Sequence, residues 1–157
     1  MKKTALAVAL GLFATTASAD AFFYAGANVG QGTIDSDKST VYGFHVGTGI
    51  LPFIGVEAGY QTLSKTPDAT TIYLAAKPSV DLGPIQVYAK AGIHSWSADV
   101  TSSIDDKDTD LMFGFGAEYY LIDNLSVGAS WMQYQMGGDY IKDNSDQVSL
   151  TATFHFL

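Results

Sequence analysis

The residues of this chain with chemical potential are three histidines, two glutamates and two lysines set inside apolar stretches. General-base activation of a nucleophile needs a histidine within hydrogen-bond reach of a hydroxyl. His94-Ser95-Trp96-Ser97 is the candidate for such a pair. Neighbours on an extended chain point to opposite faces, so His94 and Ser95 do not make a base–nucleophile pair along one face. His45, His94 and His155 match no metal-ligand spacing, and the absence of cysteine removes thiolate sites and disulfides. No catalytic residue, cofactor or metal is expected, and the histidines read as satisfied interior polar groups.

The second set is electrostatic. Glu57 and Glu118 are the only glutamates, in GVEAGY and GFGAEYY, while Lys77 and Lys90 lie in YLAAKPS and VYAKAG. Ionised side chains are rarely buried without partners. Two of each sign amid small and aromatic residues predict a neutral structural layer inside the protein. A third set is acidic: Asp99, Asp105, Asp106, Asp108 and Asp110 follow one another across residues 98–110. The stretch lacks the glycine and terminal glutamate of an EF-hand loop. It reads as a solvated, self-repelling loop, with weak divalent-cation binding as the alternative.

The elements that carry these residues follow from the periodicity. Residues 1–19 read as a cleaved signal peptide: Lys2-Lys3, a short apolar run, then Ala17-Ser18-Ala19. The expected mature domain, residues 20–157, keeps six lysines and no arginine against sixteen acidic residues. That balance argues against nucleic-acid or phosphate partners. Beyond the signal no stretch approaches the roughly 20 apolar residues of a membrane helix. A membrane crossing would have to be made by strands.

Two-residue alternation predicts eight strands, at 22–32, 41–51, 53–63, 70–80, 85–97, 110–121, 125–136 and 146–156. Turns near Leu51-Pro52, Asp81–Pro84 and Ile122–Asn124 are short. The connections at 33–40, 64–69, 98–109 and 137–145 are longer and polar. This is the pattern of an up-and-down meander. Extending the face of the four charges by twos collects twelve of the sixteen glycines, the three histidines and seven serines and threonines. The residues read on the opposite face, from Phe23 and Phe44 to Trp131 and Phe156, are mostly apolar.

Parity does not say which face points outward; composition does. A water-facing exterior should be about a quarter or more charged, whereas the polar face here is mostly small. Small residues fit a crowded lumen, and the apolar face then meets lipid. The fold class is therefore all-β: an eight-stranded antiparallel up-and-down transmembrane β-barrel. Aromatics at the segment ends, including Phe22, Phe53, Tyr119, Phe154, Tyr42 and Tyr60, read as interfacial girdles. Pro78, on the lipid face, predicts a bulge or an early strand end.

The runs GFHVGTGILPFIGVEAGYQTL, IYLAAKPSVDLGPIQVYAKAGIHSWSAD and FGFGAEYYLIDNLSV, with the opening FYAGANVG, resemble the transmembrane barrel of the outer membrane protein A family. Strand order places Glu57 beside Lys77 and Lys90 beside Glu118 on adjacent strands; the resemblance implies an interior charge network that includes all four, with a Lys77–Glu118 contact across the barrel as the competing pairing. Asn28 and Gly128 stand where that family carries a lysine and an arginine. The family's peptidoglycan-binding domain has no counterpart in these residues. The C-terminal VSLTATFHFL resembles the signal read by the barrel-assembly machinery.

These readings predict an integral protein of a Gram-negative outer membrane, a porin-like monomer surrounded by lipid and lipopolysaccharide. Its lumen is plugged by inward tyrosines, Met112 and Trp96, and its role is structural, without catalysis. The alternative is a surface adhesin or phage-interaction protein acting through its loops, with Tyr140 and Ile141 as the candidate contact. A small ion channel is a third reading.

Overall fold

The computed structural model describes residues 23–34, 36–65, 68–101, 104–137 and 142–156. The expected signal peptide, Phe22 and the Tyr140-Ile141 tip lie outside the described residues. Eight strands follow in order: β1 Phe23–Ile34, β2 Asp37–Leu51, β3 Ile54–Lys65, β4 Asp68–Leu82, β5 Ile85–Thr101, β6 Ile104–Ile122, β7 Leu125–Gly137 and β8 Lys142–Phe156. Each pairs antiparallel with its neighbours, and β8 returns to β1, closing the barrel. Closure satisfies the backbone of every strand where lipid offers no hydrogen bond.

The alternation of the sequence is the alternation of the wall. Tyr24, His45, Glu57, Tyr73, Lys90, Met112, Glu118 and Thr153 are buried in the lumen. Phe44, Ile72, Leu74, Phe115, Leu150 and Phe156 are exposed on the outside. The outer side chains still find one another: Phe44 stacks on Tyr60 at 5.6 Å, and Trp131 sits between Phe113 and Phe115.

Lumen glycines make room for the rings opposite them. A Cβ on Gly47 would collide with the Tyr24 ring and hydroxyl, and one on Gly128 would meet Glu118 Cγ at 2.8 Å. At one end, turns of two residues separate β2 from β3, β4 from β5 and β6 from β7. Gly83 supplies the left-handed φ of 70° in the middle one.

Two expectations need correction. The longer loops shrink, because the strands run on through them: β6 begins at Ile104 and β5 reaches Thr101. Hydrophobic alternation marks only the part of a strand that borders lipid, whereas ladder hydrogen bonds continue wherever two backbones run alongside. Pro78 neither bulges nor ends β4. It pairs opposite Ile54 of β3, and the β4–β5 ladder lapses between Ala76↔Ala91 and Ser79↔Tyr88 with its register unchanged. The missing N–H costs a ladder bond on one side only, and the closed wall holds the strand in line.

Candidate functional site

Strand parity delivers the four charged residues to the lumen, and their partners are set by the tilt of the strands. Glu57 of β3 is fully buried and accepts three hydrogen bonds: from Lys90 Nζ at 2.6 Å, Tyr73 Oη at 2.6 Å and Tyr24 Oη at 3.1 Å. Glu118 of β6 pairs with Lys77 of β4 at 3.4 Å and accepts the hydroxyl proton of Ser126. Lys77 also lies over the rings of Tyr24 and Tyr88, at 4.6 and 4.4 Å from their centroids. Tyr24 thus touches both pairs and joins them into one cluster.

Adjacent-strand pairing, Glu57 with Lys77 and Lys90 with Glu118, does not occur. The register shows why. Glu57 is level with Ala75, two residues from Lys77, and Glu118 is level with Gln86, four residues from Lys90. In a tilted wall, residues at one height along the barrel axis are offset along the ladder. Each ion pair therefore skips one strand, β3 to β5 and β4 to β6.

The positions where the chain departs from the resemblance are filled in a compatible way. Asn28 donates to Gln61 Oε1 at 2.8 Å and takes no part in the charge cluster. Gly128 leaves space in which the Glu118 side chain lies. With neither position basic, Lys90 is the ammonium that meets Glu57.

A serine, a histidine and a glutamate do come together, though not those of the His94 segment. Ser126 Oγ is 2.9 Å from His155 Nε2, and the same Nε2 is 3.8 Å from Glu118. In a hydrolase triad the carboxylate holds the far nitrogen of the ring and leaves the hydroxyl proton to the base. Here carboxylate and hydroxyl converge on one nitrogen, and the hydroxyl proton goes to the carboxylate. Ser126 is also fully buried. The trio satisfies its own polar atoms and offers no path for a substrate. Its members were visible in the sequence as lumen residues; their common height was not.

Towards the long-hairpin end the lumen turns apolar. Leu63, Trp96, Met112, Met132, Tyr134 and Met136 form one buried cluster with Ile34 against it. His94 is held by Thr71 at its Nδ1 (2.9 Å) and by the Gln135 carbonyl at its Nε2 (2.8 Å). Asp110 accepts the Trp96 indole N–H at 3.0 Å and the Gly137 amide at 2.7 Å, tying β5 and β7 to β6. Between this cluster and the charges lies a cavity of about 20 Å³, lined by Asn28, Gln61, Ser149 and Thr151 among others. It has room for roughly one water.

A family model described as outer membrane protein beta-barrel domain matches residues 4–156. The chain belongs to that outer membrane β-barrel family. Among curated protein sequences, none matches it. Solved structures share the barrel at low identity. Neisserial surface protein A superposes with a TM-score of 0.69 at 19% identity, over 85% of this chain and 97% of that one. The N-terminal β-barrel domain of Pseudomonas aeruginosa OprF gives 0.63 at 14%, over 85% and 97%. Ail, the attachment invasion locus protein of Yersinia pestis, in complex with the heparin analogue sucrose octasulfate, gives 0.58 at 14%, over 85% and 96%. The outer membrane enzyme PagL is built on the same architecture. At these identities the likeness is one of fold, and fold alone does not assign a role.

Proposed function

We propose that this protein is a structural β-barrel of the outer membrane, closed to solutes and without catalytic activity. The filled lumen carries the reading: two ion pairs, their tyrosine and serine partners and a Trp–Met–Leu cluster occupy successive levels. Continuous conduction needs a continuous aqueous path, and among the described residues the lumen cavity of about 20 Å³ has room for roughly one water. Catalysis needs an accessible nucleophile, and the serine–histidine contact found among the described residues, Ser126–His155, is buried in the lumen. The partners are then the lipids and lipopolysaccharide around an apolar belt, with the assembly machinery acting during insertion.

Purified barrel in planar bilayers should give no steady conductance, and cells lacking the gene should become more sensitive to detergent. Steady channels with folded protein, or unchanged envelope permeability in the deletion strain, would reject this reading. Surface interaction is the second reading, favoured by the strands that run far past the apolar belt.

A further inference from the structure

We propose that the lumen cavity is a binding site for a single ordered water, which bridges Gln61 and Thr151 and so ties β3 to β8. This goes beyond the structural role and is independent of any role of the loops.

One rung of the wall builds the site. Gly128 of β7 is level with Thr151 of β8, and Thr151 with Asn28 of β1. Asn28 in turn is level with Gly43 of β2, and Gly43 with Gln61 of β3. Two of these five lumen positions are glycines and contribute no side chain, so the rung leaves space. The Gln61 side chain lies over Gly43, where an added Cβ would collide with its amide. There Gln61 Oε1 accepts the Asn28 Nδ2 hydrogen bond at 2.8 Å. The cavity of about 20 Å³ opens beside this pair, with Thr151, Ser149, His45 and Lys90 also in its lining.

Two polar atoms of the rung are left without a hydrogen bond among the described residues. Gln61 is 2% exposed and Thr151 7%, yet Gln61 Nε2 and Thr151 Oγ1 are both unpaired. Buried polar groups in native interiors nearly always have a partner, in the protein or in ordered water. Both orphans belong to residues that line the same cavity.

The chemistry of the lining selects water over an ion. An amide N–H needs an acceptor, whereas a hydroxyl can give or take a hydrogen bond. One water accepts from Gln61 and still has a proton and a lone pair to offer Thr151. The Lys90 ammonium in the lining is already neutralised by Glu57 at 2.6 Å, so the pair leaves no net charge to hold an ion. The volume agrees, since a buried water needs about 10–15 Å³ and roughly two to four polar partners.

The test uses the folded, isotope-labelled barrel in detergent micelles, with the solvent itself as the probe. Water-selected NOE and ROE spectra should show cross-peaks between water and the Gln61 Nε2 protons. Their sign should be opposite in the two spectra, which distinguishes direct contact from proton exchange. Ser149→Leu fills the cavity while Thr151 keeps its hydroxyl, and it should abolish these cross-peaks. Ser149→Val is the milder filling variant, and gel mobility with and without boiling shows which variants fold. Thr151→Val keeps the volume and removes the hydroxyl that holds the water, so the urea midpoint should fall. In a dry cavity the same change would delete an unpaired buried hydroxyl and raise the midpoint. Absence of cross-peaks in the parent barrel would overturn the site. So would cross-peaks that survive filling, or a midpoint in Thr151→Val that is unchanged or higher.

Discussion

Replacing Lys90 by Met leaves Glu57 in the lumen without its cation. The direct attraction at 2.6 Å is about 6 kcal/mol at an effective dielectric of 20, against about 5 kcal/mol for Lys77–Glu118 at 3.4 Å. These gross values are opposed by desolvation, so the measurable quantity is the loss on breaking the pair, typically about 3–5 kcal/mol. Tyr24 and Tyr73 still donate to Glu57. They place Lys90→Met near the lower end, at about 3 kcal/mol. In Glu57→Gln with Lys90→Met no charge is stranded, and the cycle should yield a coupling of about 2–3 kcal/mol. Lys77–Glu118 should couple by about 1 kcal/mol less, because its members have ring, serine and histidine contacts in reserve. Urea unfolding in lipid bilayers, followed by fluorescence of Trp96 and Trp131, measures all the variants. Neither coupling should change much between low and high salt, since both pairs are shielded from ions. A Lys90–Glu57 coupling below about 0.5 kcal/mol, or one smaller than that of Lys77–Glu118, would refute the assignment of the pairs.

Other outcomes are open to the same methods. Gly47→Ala should cost about 1–3 kcal/mol by pushing Tyr24 off Glu57, and adding Tyr24→Leu should recover part of the steric loss. An additive double variant would show that the ring does not fill this space. Asp110→Ala should expose the Gly137 amide to hydrogen exchange and shift the Trp96 indole resonance, at about 1–3 kcal/mol. Unchanged protection at Gly137 would remove Asp110 as the tie between hairpins. Pro78→Ala should be neutral or stabilising by up to about 1 kcal/mol, since it restores a donor where the β4–β5 ladder lapses. A clear loss would mean that the ring shapes the strand.

The chain's own order of residues determined the architecture. Eight alternating segments, the neutral outer face and the glycines gathered opposite the aromatics are local facts. A period of two acts from one residue to the next, and lipid punishes any error in it. The same parity placed Glu57, Lys77, Lys90 and Glu118 in the lumen, with Ser126, His155 and the tyrosines beside them. Tertiary structure decided the partners and the extent of the strands. Which ammonium meets Glu57 depends on how far each strand slides along the next and on lumen width, and neither is written in any one segment. The reach of β5 and β6 past the apolar belt was hidden for a related reason. Above the membrane no lipid imposes alternation, and only the neighbouring backbone keeps the chain extended.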